Sequence, residues 1–172
     1  MNSTNWKDIA ELVGITAIVA SLVFVGLELR QSHQIAIAAE YQERVATVID
    51  IYNTQIESEI ALSIVGQPFY EIVRSVDFPD KYRHLYGSYT VEQLGYLSTI
   101  SLIALTNYDN LYFQYQSGFL SDESWQAFRY RLLHVLESPI ARLAFEEYPN
   151  WYRASYRRLC NEIIIEIDAD SE

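Results

Sequence analysis

A single cysteine, Cys160, excludes an intrachain disulfide framework and any zinc site built from several thiolates. It lies in the apolar stretch "LCNEIII", the setting of an inert, packed thiol rather than a reactive one. Histidine is equally thin: His33, His84 and His134 stand alone, with no H-x-x-x-H or H-E-x-x-H spacing to put two ligands on one helical face. No Glu-x-x-His pair exists for a carboxylate di-metal site in a helical bundle. With only six glycines the chain also has no Gly-rich phosphate loop and no nucleophile elbow. The motifs therefore name no catalytic residue, no cofactor-binding residue and no metal ligand, and the expectation leans away from an enzyme. Sites assembled in space lie beyond the reach of motifs.

Cations are scarce as well. Twelve basic residues against 23 acidic ones give a net charge of −11, a field that repels phosphate backbones and excludes nucleic acid as the expected partner. Six arginines, Arg129, Arg131, Arg142, Arg153, Arg157 and Arg158, crowd one region. Pairing with the chain's own carboxylates is their expected use.

What the chain does have is tyrosine and one long apolar run. Fourteen tyrosines outnumber seven phenylalanines and three tryptophans, a load of amphipathic rings suited to half-buried surfaces and interfaces. From Leu12 to Leu27 there are sixteen uncharged residues, ten of them Leu, Ile, Val or Phe. That core is roughly 24 Å of helix, and Ile9 to Leu29 extends it to about 31 Å, the thickness of a bilayer's hydrocarbon. Insertion of the ten large residues is favourable by roughly 3 to 6 kcal/mol. Trp6 and Lys7 on one flank and Arg30 on the other suit an interface. A buried helix of a soluble bundle and a signal peptide cleaved near "AIA" at 36–38 are the competing readings. The span at 9–30 is preferred, between a short flank at 1–8 and a helical domain at 31–172.

Gly14, Ala17 and Ser21 form a stripe of small residues that allows close helix approach in lipid, and Glu28 lies one heptad further on. Between Gly26 and Gly66 neither glycine nor proline occurs, so the helix is predicted to run straight out of the membrane. The same heptad continues to Ile35, Gln42, Ile49 and Ile56, with Ala38, Val45 and Tyr52 in the companion register. Lys7 before the span and Arg30 and Arg44 after it place the larger domain in the cytoplasm by the positive-inside rule.

The remainder reads as all-α. Gly66 and Pro68 predict a helix start, and "DFPDKYRHLYGSY" an ordered surface loop. Thr90 and Gln93 form a capping box for a long helix that Gly118 closes. Its uncharged run at 93–108, rich in Tyr, Ser, Thr and Asn, predicts the central helix of a bundle rather than a second span. Ser121 caps the next helix and Pro139 ends it; a short helix over "IARLAFEEY" and a last one over "NWYRASYRRLCNEIIIEI", with Trp151 on its face, complete the chain before a frayed acidic end. His84 is expected in the loop and His134 at a core edge. Asp109, Tyr112 and Tyr115 at one end of the long helix, and Arg153 and Arg157 on the last, are the candidate interaction residues.

"WKDIAELVGITAIVASLVFVGLELRQS", "NYDNLYFQYQSGFLSDESW" and the terminal Trp-containing segment resemble a widespread group of uncharacterised bacterial single-pass membrane proteins, which open on a similar W-x-x-I-x-E-x-V-G helix ending in L-R-Q. The resemblance implies a membrane helix followed by a helical domain, in the bacterial inner membrane, and carries no activity or functional residue with it. Glu28 and the sparse arginines after the span depart from the group's more basic pattern. The expected function is a noncatalytic membrane-anchored protein that oligomerises or joins other membrane subunits, in contact with lipid. The alternatives are a homo-oligomeric channel or transporter-like pore lined by Ser21 and Glu28, and a membrane-tethered ligand-binding or enzymatic bundle using the Tyr/Asn/Asp cluster.

Overall fold

The computed structural model describes residues 6–170; the flank at 1–5 and the last two residues of the acidic end lie outside them. Seven α-helices and one 3-10 turn make up the described chain, so the all-α expectation holds. The first helix, α1, runs unbroken over Trp6–Ile56. The described residues divide into two units that meet within it, between Glu40 and Tyr41.

The first unit is helix alone. Its large apolar side chains face outward on every side, from Leu12 at 66 % exposed through Ile18 at 62 % and Leu22 at 67 % to Leu29 at 66 %. Among the described residues only α1 is long and apolar enough to cross a membrane, with a mean hydropathy of 2.3 over its most apolar window and none of that window buried. Thr16 closes its hydroxyl onto the Leu12 carbonyl at 2.8 Å, so the one threonine in the run carries no free donor.

In the second unit, α1 ends because Ser58 intervenes. Its extended backbone (φ −116°, ψ 112°) breaks the helix, and its hydroxyl accepts from the Ala61 N–H at 3.3 Å to begin α2, Glu59–Arg74. The predicted start at Gly66 is thus corrected: Gly66 and Pro68 lie inside α2. The carbonyl that Pro68 leaves without a donor belongs to Ile64, a residue 69 % exposed. Gly66 has a packing role instead. A Cβ there would strike the Val91 carbonyl, and one at Gly95 would strike the Leu62 carbonyl, so two glycines let α2 and α4 cross backbone to backbone. Gly95→Ala is expected to lower stability by about 1 to 3 kcal/mol, since a carbonyl on a packed helix yields less than a side chain. Gly26→Ala, where a Cβ meets nothing within 4 Å, should leave the thermal melt of the domain unchanged.

The expected loop after α2 contains a helix, α3 (Asp80–Tyr86). Phe78 and Tyr86 are both buried, and anchoring both ends of so short a segment folds the residues between them. Arg74 secures the connection from α3 to the next helix, donating to the Gly87 and Tyr89 carbonyls at 2.9 and 3.0 Å from over the Tyr70 ring. His84, on α3, is exposed.

The long helix α4 (Val91–Gln116) opens on the predicted capping box: Gln93 N–H donates to Thr90 Oγ1 at 3.2 Å, and Thr90 N–H to Gln93 Oε1 at 2.9 Å. It closes at Gly118, φ +79°, where the Gly118 and Phe119 N–H groups return to the Tyr115 and Gln114 carbonyls. It is the central helix, packed against α2, α5 and α6, with Leu94, Leu102 and Leu105 buried. Ser98 and Thr99, also buried, both bond the Gly95 carbonyl.

Ser121 caps α5 (Asp122–Leu136), which buries Trp125, Leu132 and Leu136 on one face. Pro139 occupies the first turn of α6 (Pro139–Glu147). A 3-10 turn at Pro149–Trp151 precedes α7 (Ala154–Ala169), so Trp151 is exposed outside the last helix rather than on its face. Burial of Tyr156, Cys160 and Ile163 gives α7 its inner face. Arg129 pairs with Glu166 on it at 2.5 Å and Arg142 with Asp168 at 2.7 Å. Asp168 and Ala169, expected to fray, are therefore helical.

Candidate functional site

Two clusters far apart in the sequence meet at Asp109. The carboxylate on α4 is 4 % exposed, a placement that requires partners. Arg153, the residue before α7, donates from Nε to Asp109 Oδ1 at 2.9 Å and from Nη2 to the Asp109 carbonyl at 2.5 Å. From α1, the Tyr41 hydroxyl donates to Oδ2 at 2.8 Å. The guanidinium also lies 4.9 Å from the Phe113 ring centre and 5.4 Å from that of Tyr41, within cation–π range of both. Gln116 extends the network, accepting from Arg153 at 3.4 Å and from Ser155 at 3.2 Å.

Beside this node lies a cleft of about 350 Å³. Tyr41, Val45 and Tyr52 on α1 form one wall, Trp151 and Tyr152 another, and Asp109 closes it. Burial raises the phenol pKa of both Tyr41 and Tyr52 to about 12, with the Asp109 charge adding to Tyr41 and Tyr148 to Tyr52. Tyr152 and Tyr156 are raised further, again chiefly by burial, with the Cys160 thiol beside the Tyr156 hydroxyl adding to its shift; the Tyr152 hydroxyl has no hydrogen-bond partner among the described residues. Burial likewise lifts the Cys160 thiol to about 12, which leaves it protonated and unreactive at neutral pH.

These phenols fix a pH dependence. A raised folded-state pKa means that the native protein holds the proton more tightly than the unfolded chain, whose tyrosines titrate near about 10. Their contribution is complete below about pH 10 and is lost as pH rises through about 12. Absorbance at 295 nm should show the buried tyrosines ionising together with alkaline unfolding. Free titration of every tyrosine near pH 10 with the fold intact would contradict the assigned burial.

Of the residues singled out from sequence, Asp109 and Arg153 are brought together, and the Tyr112 ring centre lies 6.0 Å from the Arg153 guanidinium; Tyr112 and Tyr115 pack on Trp125 at 5.0 and 5.2 Å. Tyr115 donates to Asp122 at 3.0 Å. Arg157 lines a different cleft, with Phe145 and Glu146. His134 is exposed and bonds Glu137 at 2.9 Å. In the first unit Gly14, Ala17, Ser21 and Glu28 are all exposed, and so is Ile35, whereas Ile49 in the second is half-buried. The buried positions along α1 are those of the companion register, Ala38, Val45 and Tyr52.

Sequence reasoning did not find Tyr41, Tyr52 and Gln116 as members of the site. The signal was present for two of them: Tyr41, Val45, Val48 and Tyr52 follow i, i+4, i+7, i+11, an aromatic and β-branched face. Among the described residues no group of three or more His, Cys, Asp or Glu is placed to hold a metal. Comparison with protein-family models, with curated proteins and with solved structures found no match to this chain.

Proposed function

We propose that this chain is a noncatalytic single-pass membrane protein of the bacterial inner membrane, with α1 crossing the bilayer, its helical domain in the cytoplasm, and its span associating with further copies or with other membrane subunits. One observation carries the reading: the girdle from Leu12 to Leu29 is exposed around the whole helix, with Val13, Ile15, Val19, Val23 and Leu27 each more than half accessible. A helix apolar all round requires an apolar surrounding, and no other part of the described chain buries this one. Its length suits a hydrocarbon core of about 30 Å, with Arg30 at one end and Trp6 and Lys7 at the other.

Association is supported by the stripe of small residues that Gly14 begins. A Cβ at Gly14 or Gly26 would meet nothing in the described chain, so neither glycine is required by an internal contact. In lipid, Gly14 with Ala17 and Ser21 on the same face admits a second helix backbone. Light scattering of the full chain in maltoside micelles is expected to give a mass of at least two copies, and Gly14→Leu to lower it. A wild-type monomer at every concentration would contradict self-association.

A further inference from the structure

We propose that the cleft between α6 and α7, lined by Arg157, Arg158 and Asn161, binds a phosphate group. The inference stands on that cleft alone and does not depend on α1 crossing a bilayer. Ala154, Arg157, Arg158 and Asn161 follow i, i+3, i+4, i+7 and share the face of α7 opposite the buried Tyr156, Cys160 and Ile163. Phe145, Glu146 and Pro149 form the other wall, around about 480 Å³, a volume in the range of small-molecule sites. The arginines set this cleft apart. Arg129, Arg142 and Arg153 each pair with a carboxylate of the chain. Arg157 and Arg158 have no such partner among the described residues, although the chain carries 23 acidic residues and Glu146 lies in the same cleft.

Two guanidinium groups against the one carboxylate of Glu146 leave the lining positive, and the Asn161 amide adds a neutral donor. Arginine's planar fork matches the oxygens of phosphate and carboxylate alike. A phosphate presents three acceptor oxygens and close to two charges, enough for both forks at once, whereas a carboxylate brings two oxygens and one charge. Charge therefore favours the phosphate. The protein's net charge of −11 opposes any anion at long range, but that field is screened beyond about 8 Å at physiological ionic strength, and direct guanidinium bonds decide at contact. Glu146 works against the ligand, which gives the site a signature: removing its charge strengthens binding.

The phosphate could belong to a soluble ester or to a lipid headgroup, and one experiment tests the site and separates these sources. The full chain in maltoside is titrated calorimetrically, at fixed ionic strength, with inorganic phosphate and with acetate. Phosphate is expected to bind at least tenfold more tightly than acetate. Arg157→Gln with Arg158→Gln should weaken phosphate at least tenfold with an unchanged thermal melt, and Glu146→Gln should tighten it severalfold. Arg131→Gln, an exposed position outside the cleft, should leave the affinity as it is. No binding of phosphate, wild-type affinity in the double variant, or an equal loss in Arg131→Gln would overturn the proposal. Repeating the titration in phosphatidylcholine nanodiscs, whose headgroups carry phosphate without net surface charge, assigns the source. Tenfold weaker phosphate there than in maltoside means that lipid headgroups occupy the cleft, and equal affinity means a soluble ligand.

Discussion

Arg153→Ala is expected to lower the stability of the helical domain by about 3 to 5 kcal/mol, the loss found when one member of a buried ion pair is removed. The side chain of Asp109 is 5 % exposed and that of Arg153 25 %, so the two halves of the pair do not respond alike. Without Arg153 the carboxylate stays buried with the Tyr41 hydroxyl as its remaining bond. Without Asp109 the guanidinium has a route to water. Asp109→Ala should therefore fall at the lower end of the range and Arg153→Ala at the upper. Arg153→Lys restores the charge but cannot reproduce the fork that reaches Oδ1, the Asp109 carbonyl and Gln116 together, and should recover only a minor part of the loss. Thermal and urea unfolding of the full chain measure all three variants. Similar melts for Arg153→Ala and wild type would mean that the node contributes nothing to the fold.

The second large effect concerns the membrane. Val19→Arg with Leu22→Arg replaces two exposed apolar side chains at the middle of the girdle. Each change shifts insertion by about 3 to 4 kcal/mol, so the pair shifts it by roughly 6 to 8 kcal/mol. The apolar residues of the run favour insertion by only roughly 3 to 6 kcal/mol, and two arginines suffice to reverse the balance. After carbonate extraction the wild-type chain is expected in the membrane pellet and the double variant in the supernatant or degraded. Neither position touches the helical domain's core, so loss from the pellet with the domain's melt preserved would tie the effect to the span.

Local chemistry was the readable part of this sequence. Thr90 with Gln93, Gly118, Ser121 and Pro139 each act within one helical turn, and each ends or begins a helix where the residue type requires it. Gly66 misled because a glycine has two uses: here the close crossing of α2 and α4 retains it, and the partner, Gly95, lies too far along the chain for its role to show in the sequence. The helix at Asp80–Tyr86 was hidden for a related reason, since burial of Phe78 and Tyr86 by the surrounding helices outweighs the turn-forming composition between them.

The candidate site divides in the same way. Asp109 and Arg153 were each visible as unusual, one on a helix full of tyrosines and the other in an arginine cluster, but their pairing spans 44 residues and exists only once α4 and α7 are packed. Along α1 the heptad is correct in period, and burial selects its companion register, through Val45 and Tyr52, because that row carries the residues that reach the cleft and the core.

A helix that crosses a bilayer places its two ends on opposite sides, and thiol labelling reads the side of each end of α1. The native Cys160 is fully buried with its thiol pKa raised to about 12, so it gives no background under native conditions. Asp8→Cys and Ser32→Cys stand at the two ends of the apolar girdle, both at exposed positions. With a membrane-impermeant maleimide, Asp8→Cys should be modified from the periplasmic side of intact spheroplasts, and Ser32→Cys only after the membrane is opened. Modification of both thiols from the same side of an intact membrane would mean that α1 does not cross it.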